Sequence, residues 1–359
     1  MRPPPALVRR AVLDPLWLPA AAVVMVLLAL VTVIAGAAWP LTRRRRVLRV
    51  SLFAMLYLFA DAGLVLGAAA IWVRWPVPAR RDLERWNSAH ARLLRWALSL
   101  LLAAAGPLFG FRVDLEEPPD ADRLRDRALL VLARHGGPGD SFTLVELLLT
   151  RYRRQPRIVV KQTLQWDPGL DLMLTRLRSC FIPSRSGAGE DLPGRVAEAA
   201  RSLTGSDALL IFPEGGNWTP RRHRRAIARL RRSGHQDAAA DARRNPHVLP
   251  PRPAGVLACL AARPDLDVVV VAHTGLEDLV SPAQIWRAIP LTSRPMTIRW
   301  WHEPAAALPA SAEDRLQWLQ VQWTILDSWI SARKARASQP SQDQEPRTVP
   351  AETASEPPA

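Results

Sequence analysis

The sequence predicts an α/β protein: a largely parallel sheet flanked by helices, preceded by an N-terminal membrane helical hairpin. Three observations predict it. After residue 112, six short apolar runs alternate with longer amphipathic stretches, the pattern of strands connected by crossover helices. Two long apolar runs occupy the first 75 residues, each exceeding the roughly 20 residues a helix needs to cross a bilayer. The chain has 359 residues, 48% of them hydrophobic and 23% charged, so it can bury a sizeable core and holds about two domains at roughly 100–200 residues each.

The first apolar run, 15–42, carries no charge over 28 residues. A cleaved leader is the competing reading, since Arg9 and Arg10 precede the run and Ala35-Gly36-Ala37 resembles a small-residue cleavage site. The apolar core is longer than the roughly 7–15 residues of a leader, and RRRRVLR (43–49) follows at once, a cytoplasmic flank. The second run, 50–73, is broken only by Asp61. A carboxylate at mid-bilayer costs roughly 2.5–3.5 kcal/mol, so this run is read as spanning or as shallow and re-entrant. The re-entrant reading keeps the body cytoplasmic, which agrees with the arginines at 74, 80, 81 and 85. A third stretch, WALSLLLAAAGPLFGF (96–111), is too short to span. It reads as an interfacial helix or as a buried core helix.

Strands are expected at 128–134, 157–161, 180–183, 208–213, 267–273 and 297–303, and helices near 141–153, 168–178, 191–204, 220–233 and 311–334. The expected organisation is membrane-anchoring helices over 1–111, an α/β domain over 112–336 and a disordered tail over 337–359, rich in Pro, Ser, Gln and Glu.

Charge narrows the partners. The formal charge is +15, and residues 1–110 supply fourteen arginines against four acids. Most of the excess therefore flanks apolar runs, which favours membrane phospholipids over nucleic acid, for which no motif is present. Two cysteines cannot build a disulfide framework or a four-thiolate zinc site, and His223, His235 and His247 lack metal-ligand spacing. No metal is expected. No nucleophile elbow, phosphate loop or dinucleotide fingerprint occurs.

The chemistry concentrates at two strand ends. The first strand runs into His135-Gly-Gly-Pro-Gly-Asp140. Residues five apart point away from each other on a continuous helix, so His135 and Asp140 meet only if the glycines turn the chain back. A carboxylate on one imidazole nitrogen fixes the tautomer and leaves the other nitrogen as a base for a substrate hydroxyl. Alternatively, Asp140 or Ser141 only caps the next helix. The fourth strand ends Phe212-Pro-Glu214-Gly215-Gly216-Asn217, which puts an acid and two glycines at the carboxyl edge where open α/β sheets bind ligands. His273, at another strand end, reads as a core histidine or a cleft residue.

These residues resemble the motifs of the glycerolipid acyltransferases, especially the 1-acylglycerol-3-phosphate acyltransferases. His135-x4-Asp140 matches their histidine–aspartate pair, and Phe212-Pro-Glu-Gly matches their later motif, with Gly216 and Asn217 where the family has Thr and often Arg. Lys161-x-x-Leu164, a Phe181 to Arg185 element one residue longer than the family's, and Leu249-Pro-Pro-Arg252-Pro-Ala-Gly255 resemble further elements. The likeness covers roughly 125–305.

The resemblance implies acyl transfer from acyl-CoA or acyl-acyl carrier protein as co-substrate to a glycerol hydroxyl, with no other cofactor. His135 would act as base and Asp140 would orient it. Glu214, Gly215 and Gly216 would shape the acceptor site, with Lys161 beside them and Arg185 on the acceptor phosphate. The expected acceptor is lysophosphatidate, giving phosphatidate at the cell membrane. Alternatives are another lysophospholipid or glycolipid acceptor, or a catalytically silent protein binding lipid or a carrier protein. Backbone donors of the GGPG turn are candidates for the oxyanion. RRHRRAIARLRR (221–232) reads as a site for coenzyme A phosphates, an acidic carrier protein or anionic lipid, or as a solvated helix face. Oligomeric state is not legible.

Overall fold

The computed structural model describes residues 3–42, 45–75, 82–116, 124, 127–137, 139–183, 191–277, 279, 281–291 and 295–338. A short helix (Ala6–Val8) and a π-helical stretch (Arg9–Leu13) lead into α1 (Asp14–Thr42), followed by α2 (Arg46–Arg74) and α3 (Leu83–Phe109). The body then runs β1 (Val113–Glu116), β2 (Leu129–Ala133), α4 (Asp140–Thr150), β3 (Gln155–Lys161), a 3-10 turn (Gln162–Trp166), α5 (Pro168–Arg176), β4 (Cys180–Ile182), α6 (Leu192–Arg201) and β5 (Asp207–Ile211). It continues through α7 (Pro220–Arg232), α8 (Gln236–Arg244), α9 (Pro253–Ala262), β6 (Asp267–Thr274), α10 (Pro282–Ala288), β7 (Met296–Glu303) and α11 (Ala312–Ser338).

The seven strands form one sheet in the order β1-β7-β6-β2-β5-β3-β4. Only the β6–β7 pair is antiparallel. β2 and β5 are buried at every position because the sheet is covered on both faces. One face packs α4 and α5 with α2 and α3 outside them; the other packs α6, α9 and α11. All six expected strands are present. The sequence reading lacked β1, a four-residue edge strand with mixed exposure that pairs with β7, and it lacked α8, α9 and α10.

The stretch expected at 96–111 belongs to a helix of 27 residues. Asp82 caps it by accepting from the amide of Arg85, and Gly110 ends it in the left-handed conformation at φ 72°. It is therefore long enough to cross a bilayer by length, which corrects the expectation that it is too short. One face packs against α2 and α4, so its charged first half is partly covered by protein.

α1 exposes Val23, Val26, Leu27, Leu30, Val33 and Ile34, whereas α2 is half-covered. The three apolar helices are compatible with membrane association. Asp61 is not presented to lipid. It is 3% exposed, accepts from Trp17 Nε1 at 2.5 Å and lies against the first turn of α5, where a Cβ on Gly169 would meet Asp61 Oδ1 at 2.0 Å. Tyr57 of α2 donates to Asp167, the cap of α5. Arg9 donates to Asp171 of α5 at 2.8 Å and Arg10 pairs with the same carboxylate at 2.9 Å. These contacts tie the start of the chain to the body, and a cleaved leader would strip a buried carboxylate of both cations. That argues against the leader reading.

The approach of Asp61 to Gly169 makes a packing prediction. Gly169→Ala forces two elements apart and is expected to cost about 1–3 kcal/mol, lowering Tm in detergent by several degrees. Gly36→Ala, inside a helix with nothing within 4 Å of its added Cβ, is expected not to lower Tm and to raise it slightly.

Candidate active site

His135 follows β2, whose register against β5 and β6 sets its place at the carboxyl edge of the sheet. Trp218, in the loop after β5, donates its amide to the His135 carbonyl at 2.6 Å, and Phe212 lies with its ring 4.8 Å from the imidazole. The chain then turns back. Gly139, at φ 86°, is the N-cap of α4, a backbone state that suits glycine. Gly137 has no room for a side chain, because a Cβ would sit 2.4 Å from the Leu276 carbonyl oxygen. Pro138 lies outside the described residues.

The turn brings His135 Nδ1 within 2.8 Å of Asp140 Oδ2. The same oxygen accepts the amides of Gly136 at 2.9 Å and Gly137 at 3.2 Å, and Ser141 Oγ donates to Oδ1 at 3.0 Å. Asp140 is 1% exposed. Burial by itself raises its pKa, but the hydrogen bond from His135, the nearby His273 and the glycine amides hold it down at about 2. An ionised carboxylate only accepts, so Nδ1 carries the hydrogen and Nε2 keeps its lone pair. The geometry is that of a base oriented by a carboxylate rather than of a helix cap alone. Gly136 and Gly137 spend their amides on Asp140, which narrows the oxyanion expectation for the GGPG turn to the amide of Gly139.

His135, Gly139 and Phe142 line one end of a cavity of about 460 Å³. Its walls are apolar: Leu94 and Leu98 from α3, Val145 from α4, Ile158 and Val160 from β3, and Leu170 and Leu174 from α5. Lys161, Gly215, Gly216 and Asn217 line it as well. Gly215 sits at φ 70°. A Cβ on Gly216 would lie 3.4 Å from Arg222 Nη1 and 3.9 Å from Lys161 Nζ, and one on Gly215 would lie 3.0 Å from the Arg252 guanidinium carbon. Arg222 also donates to the Asn217 carbonyl at 2.9 Å. Three cations thus converge on two glycines, and none ion-pairs with a carboxylate among the described residues. Burial, with Arg222 and Arg252 nearby, lowers the pKa of Lys161. Such a cluster is a place for an anion.

Glu214 does not face the cavity. It is 3% exposed and points inward, and burial raises its pKa to about 8 against the pull of Arg134 and of the Leu249 and His135 amides, which approach without closing a well-formed hydrogen bond. At neutral pH it is therefore largely protonated. Arg185 lies outside the described residues. The sequence reading missed Arg134, His247 and Glu277. Arg134 is fully buried and donates to the carbonyls of His273 at 2.7 Å and His247 at 3.0 Å, with Glu277 at 3.9 Å. The available signal was a charged residue ending the otherwise apolar ALLVLAR, where a doubly covered strand must bury it. His273 is a core histidine that donates from Nε2 to the Arg134 carbonyl at 3.0 Å and lies 3.6 Å from Asp140. Burial lowers its pKa to about 4.

Residues 116–251 match the family model described as Acyltransferase, so this segment is an acyltransferase-family domain. No curated protein sequence matches the chain. The structure is similar to the crystal structure of the 1-acyl-sn-glycerophosphate (LPA) acyltransferase PlsC from Thermotoga maritima, with a TM-score of 0.54 and 14% sequence identity, over 82% of this chain and 100% of that one. At that identity the likeness is one of fold.

The raised pKa of Glu214 has a measurable consequence. The unfolded carboxyl ionises above its ordinary value of 4.5 and the folded one only above about 8, so stability falls between pH 5 and 8. Glu214→Gln is expected to flatten this part of the Tm-against-pH curve and to be the more stable protein at pH 8.

Proposed function

We propose that this acyltransferase-domain protein is a membrane-bound enzyme that moves a fatty acyl group from a thioester donor, acyl-CoA or acyl-acyl carrier protein, to the free hydroxyl of 1-acylglycerol-3-phosphate, giving phosphatidate. The observation that carries it is the His135–Asp140 pair at the head of an apolar cavity, with the Lys161, Arg222 and Arg252 cluster at its edge. The cavity takes acyl chain, the cations take the acceptor's phosphate, and the imidazole stands where the hydroxyl must be deprotonated.

His135 Nε2 removes the hydroxyl proton as the oxygen attacks the thioester carbonyl. The tetrahedral intermediate collapses, breaking the carbon–sulfur bond, and the leaving sulfur takes the proton from the imidazolium. Asp140 keeps the imidazole in the reactive tautomer and stabilises the imidazolium. No covalent acyl-enzyme is needed. Lys161, Arg222 and Arg252 hold the phosphate, Arg222 standing in for the arginine that Asn217 replaces in the motif. The apolar helices seat the enzyme on the cell membrane with the domain on its cytoplasmic face, where the α2 midpoint rests on protein at Asp61 instead of lipid.

A second acceptor remains worth testing because Gly216 and Asn217 depart from the family motif. A panel of lysolipids incubated with labelled acyl donor separates the two: product from lysophosphatidate supports the proposal, and product only from acceptors without a terminal phosphate overturns it. His135→Ala is expected to lower kcat by on the order of 10³-fold with Tm unchanged, and Asp140→Asn by on the order of 10²–10⁴-fold. Arg222→Ala is expected to raise the KM for lysophosphatidate about tenfold or more with a smaller effect on kcat. Near-normal turnover by His135→Ala would refute the mechanism.

A further inference from the structure

α7 begins with Thr219 capping the Arg222 amide and Pro220 at its first position, and seven of its thirteen residues are arginine with no acid among them. At about 100° per residue these arginines fall within roughly half of the helix circumference. Ala226, Ile227 and Leu230 occupy the other half. Ala226 is buried, and Leu230 lines a second cavity, of about 280 Å³, shared with Ala242 of α8 and Trp323 of α11.

The arginine half is solvent-facing, and none of its guanidinium groups ion-pairs with an acid among the described residues. Arg221, Arg225 and Arg229 follow one another at four-residue spacing, which sets like charges side by side, and Arg221 and Arg222 sit at the positive end of the helix dipole. A helix so arranged opposes itself until an anionic surface covers it.

Its position narrows the occupant. The basic face starts at the active-site cavity, where Arg222 lies at Gly216, and Arg229 acts on Arg252, so the charge is continuous from the phosphate cluster outwards. Arg232 lies about 15 Å further along the axis than Arg222. The α7–α8 hairpin rests on α11, with Asn245 donating to Thr324 at 3.1 Å, whereas α2 and α3 pack on the opposite face of the sheet. Ala228 is the one apolar residue within the arginine arc, too small to anchor in a bilayer, and the arc has no aromatic ring to stack a purine; His223 is turned inward, bonded to the Ala242 carbonyl.

We propose that the arginine face of α7 is a docking surface for an acidic carrier protein, which presents the acyl thioester to His135 on its phosphopantetheine arm. The proposal rests on the acyl-transfer reading and assigns the donor's carrier a place outside the catalytic cavity. Carboxylates on a partner helix pair with the extended cationic face, and the encounter is steered and salt-sensitive.

The test is the triple variant Arg224→Glu/Arg225→Glu/Arg232→Glu, with Arg-to-Lys at the same positions as the charge-preserving control. None of the three lines the cavity. Binding of unacylated holo-acyl carrier protein is measured by fluorescence anisotropy to the full chain in phosphatidylcholine nanodiscs, alongside kinetics with palmitoyl-acyl carrier protein and palmitoyl-CoA. The expected result is a Kd and a KM for the carrier protein raised about tenfold or more, a flattened salt dependence, and kcat/KM with palmitoyl-CoA within about twofold of wild type. The Lys variant should bind like wild type.

An unchanged carrier Kd, or no carrier binding by the wild type, overturns the proposal. So does an equal loss with palmitoyl-CoA, which would mark a nucleotide site, or lost binding to phosphatidylglycerol vesicles with carrier binding intact, which would mark a membrane contact. If the wild type turns over no thioester, the acyl-transfer reading fails while anisotropy still decides the docking.

Discussion

The candidate site depends on one carboxylate oxygen. Asp140 Oδ2 accepts from the imidazole of His135 and from two successive backbone amides, Gly136 and Gly137, and so closes the turn and orients the base in one stroke. Two of these donors are backbone, fixed by the chain path, so the imidazole is held by a rigid acceptor instead of a mobile one. The glycines are required by space as well as by conformation. A Cβ on Gly136 would lie 2.9 Å from His273, and one on Gly137 would strike the backbone of Leu276. The loop after β6 therefore forms the back wall of the turn.

Behind that wall is a buried polar layer. Arg134 bridges the carbonyls of His273 and His247, Glu277 accepts from Thr274 and the Gly275 amide, and Lys334 of α11 reaches Glu277 at 3.2 Å. Glu277 is held at about 2 by Arg134 and Lys334, although burial opposes it. Breaking such a set by removing one member leaves an uncompensated buried charge, the costly case for a buried pair. Glu214 belongs with this layer by position. Its place behind the motif means that Gly215 and Gly216 line the cavity while the acidic side chain is buried behind them.

What was legible in the sequence follows period and local chemistry. The central strands announced themselves because a doubly covered strand is an uninterrupted branched-apolar run, as in DVVVVAH and ALLIFP. β1 did not, since VDLE at a sheet edge is half polar and is specified by its partner β7. α3 was cut short because its first half is amphipathic, with Arg92 and Arg95 on it, and its beginning rests on a cap at Asp82. The His135–Asp140 pairing was readable, since only a turn lets those residues meet. The use of the turn's amides was not, because it depends on where a carboxylate oxygen lies in space. Arg252 and Arg222 were visible as arginines, but their convergence on Gly215 and Gly216 is a tertiary fact.

The sheet also separates two physical environments. Apolar helices lie over one face and supply Leu94 and Leu98 to the cavity wall, so the apolar pocket is partly built from a helix long and apolar enough to cross a membrane. Cations with no ion-pair partner among the described residues gather at the carboxyl edge and continue along a helix carried on the other face. On the proposed acyl-transfer reading neither environment suffices alone, because one reactant is amphiphilic and the other arrives on a polar carrier. On that reading the thioester carbonyl meets the imidazole where the two surfaces join. The carboxyl ends of β2, β3 and β5 are neighbours in the sheet and place His135, Lys161 and Gly215 at that junction. The parallel strand order is thus what brings an imidazole, a cationic cluster and an apolar slot to one edge, a consequence of topology that no single motif contains.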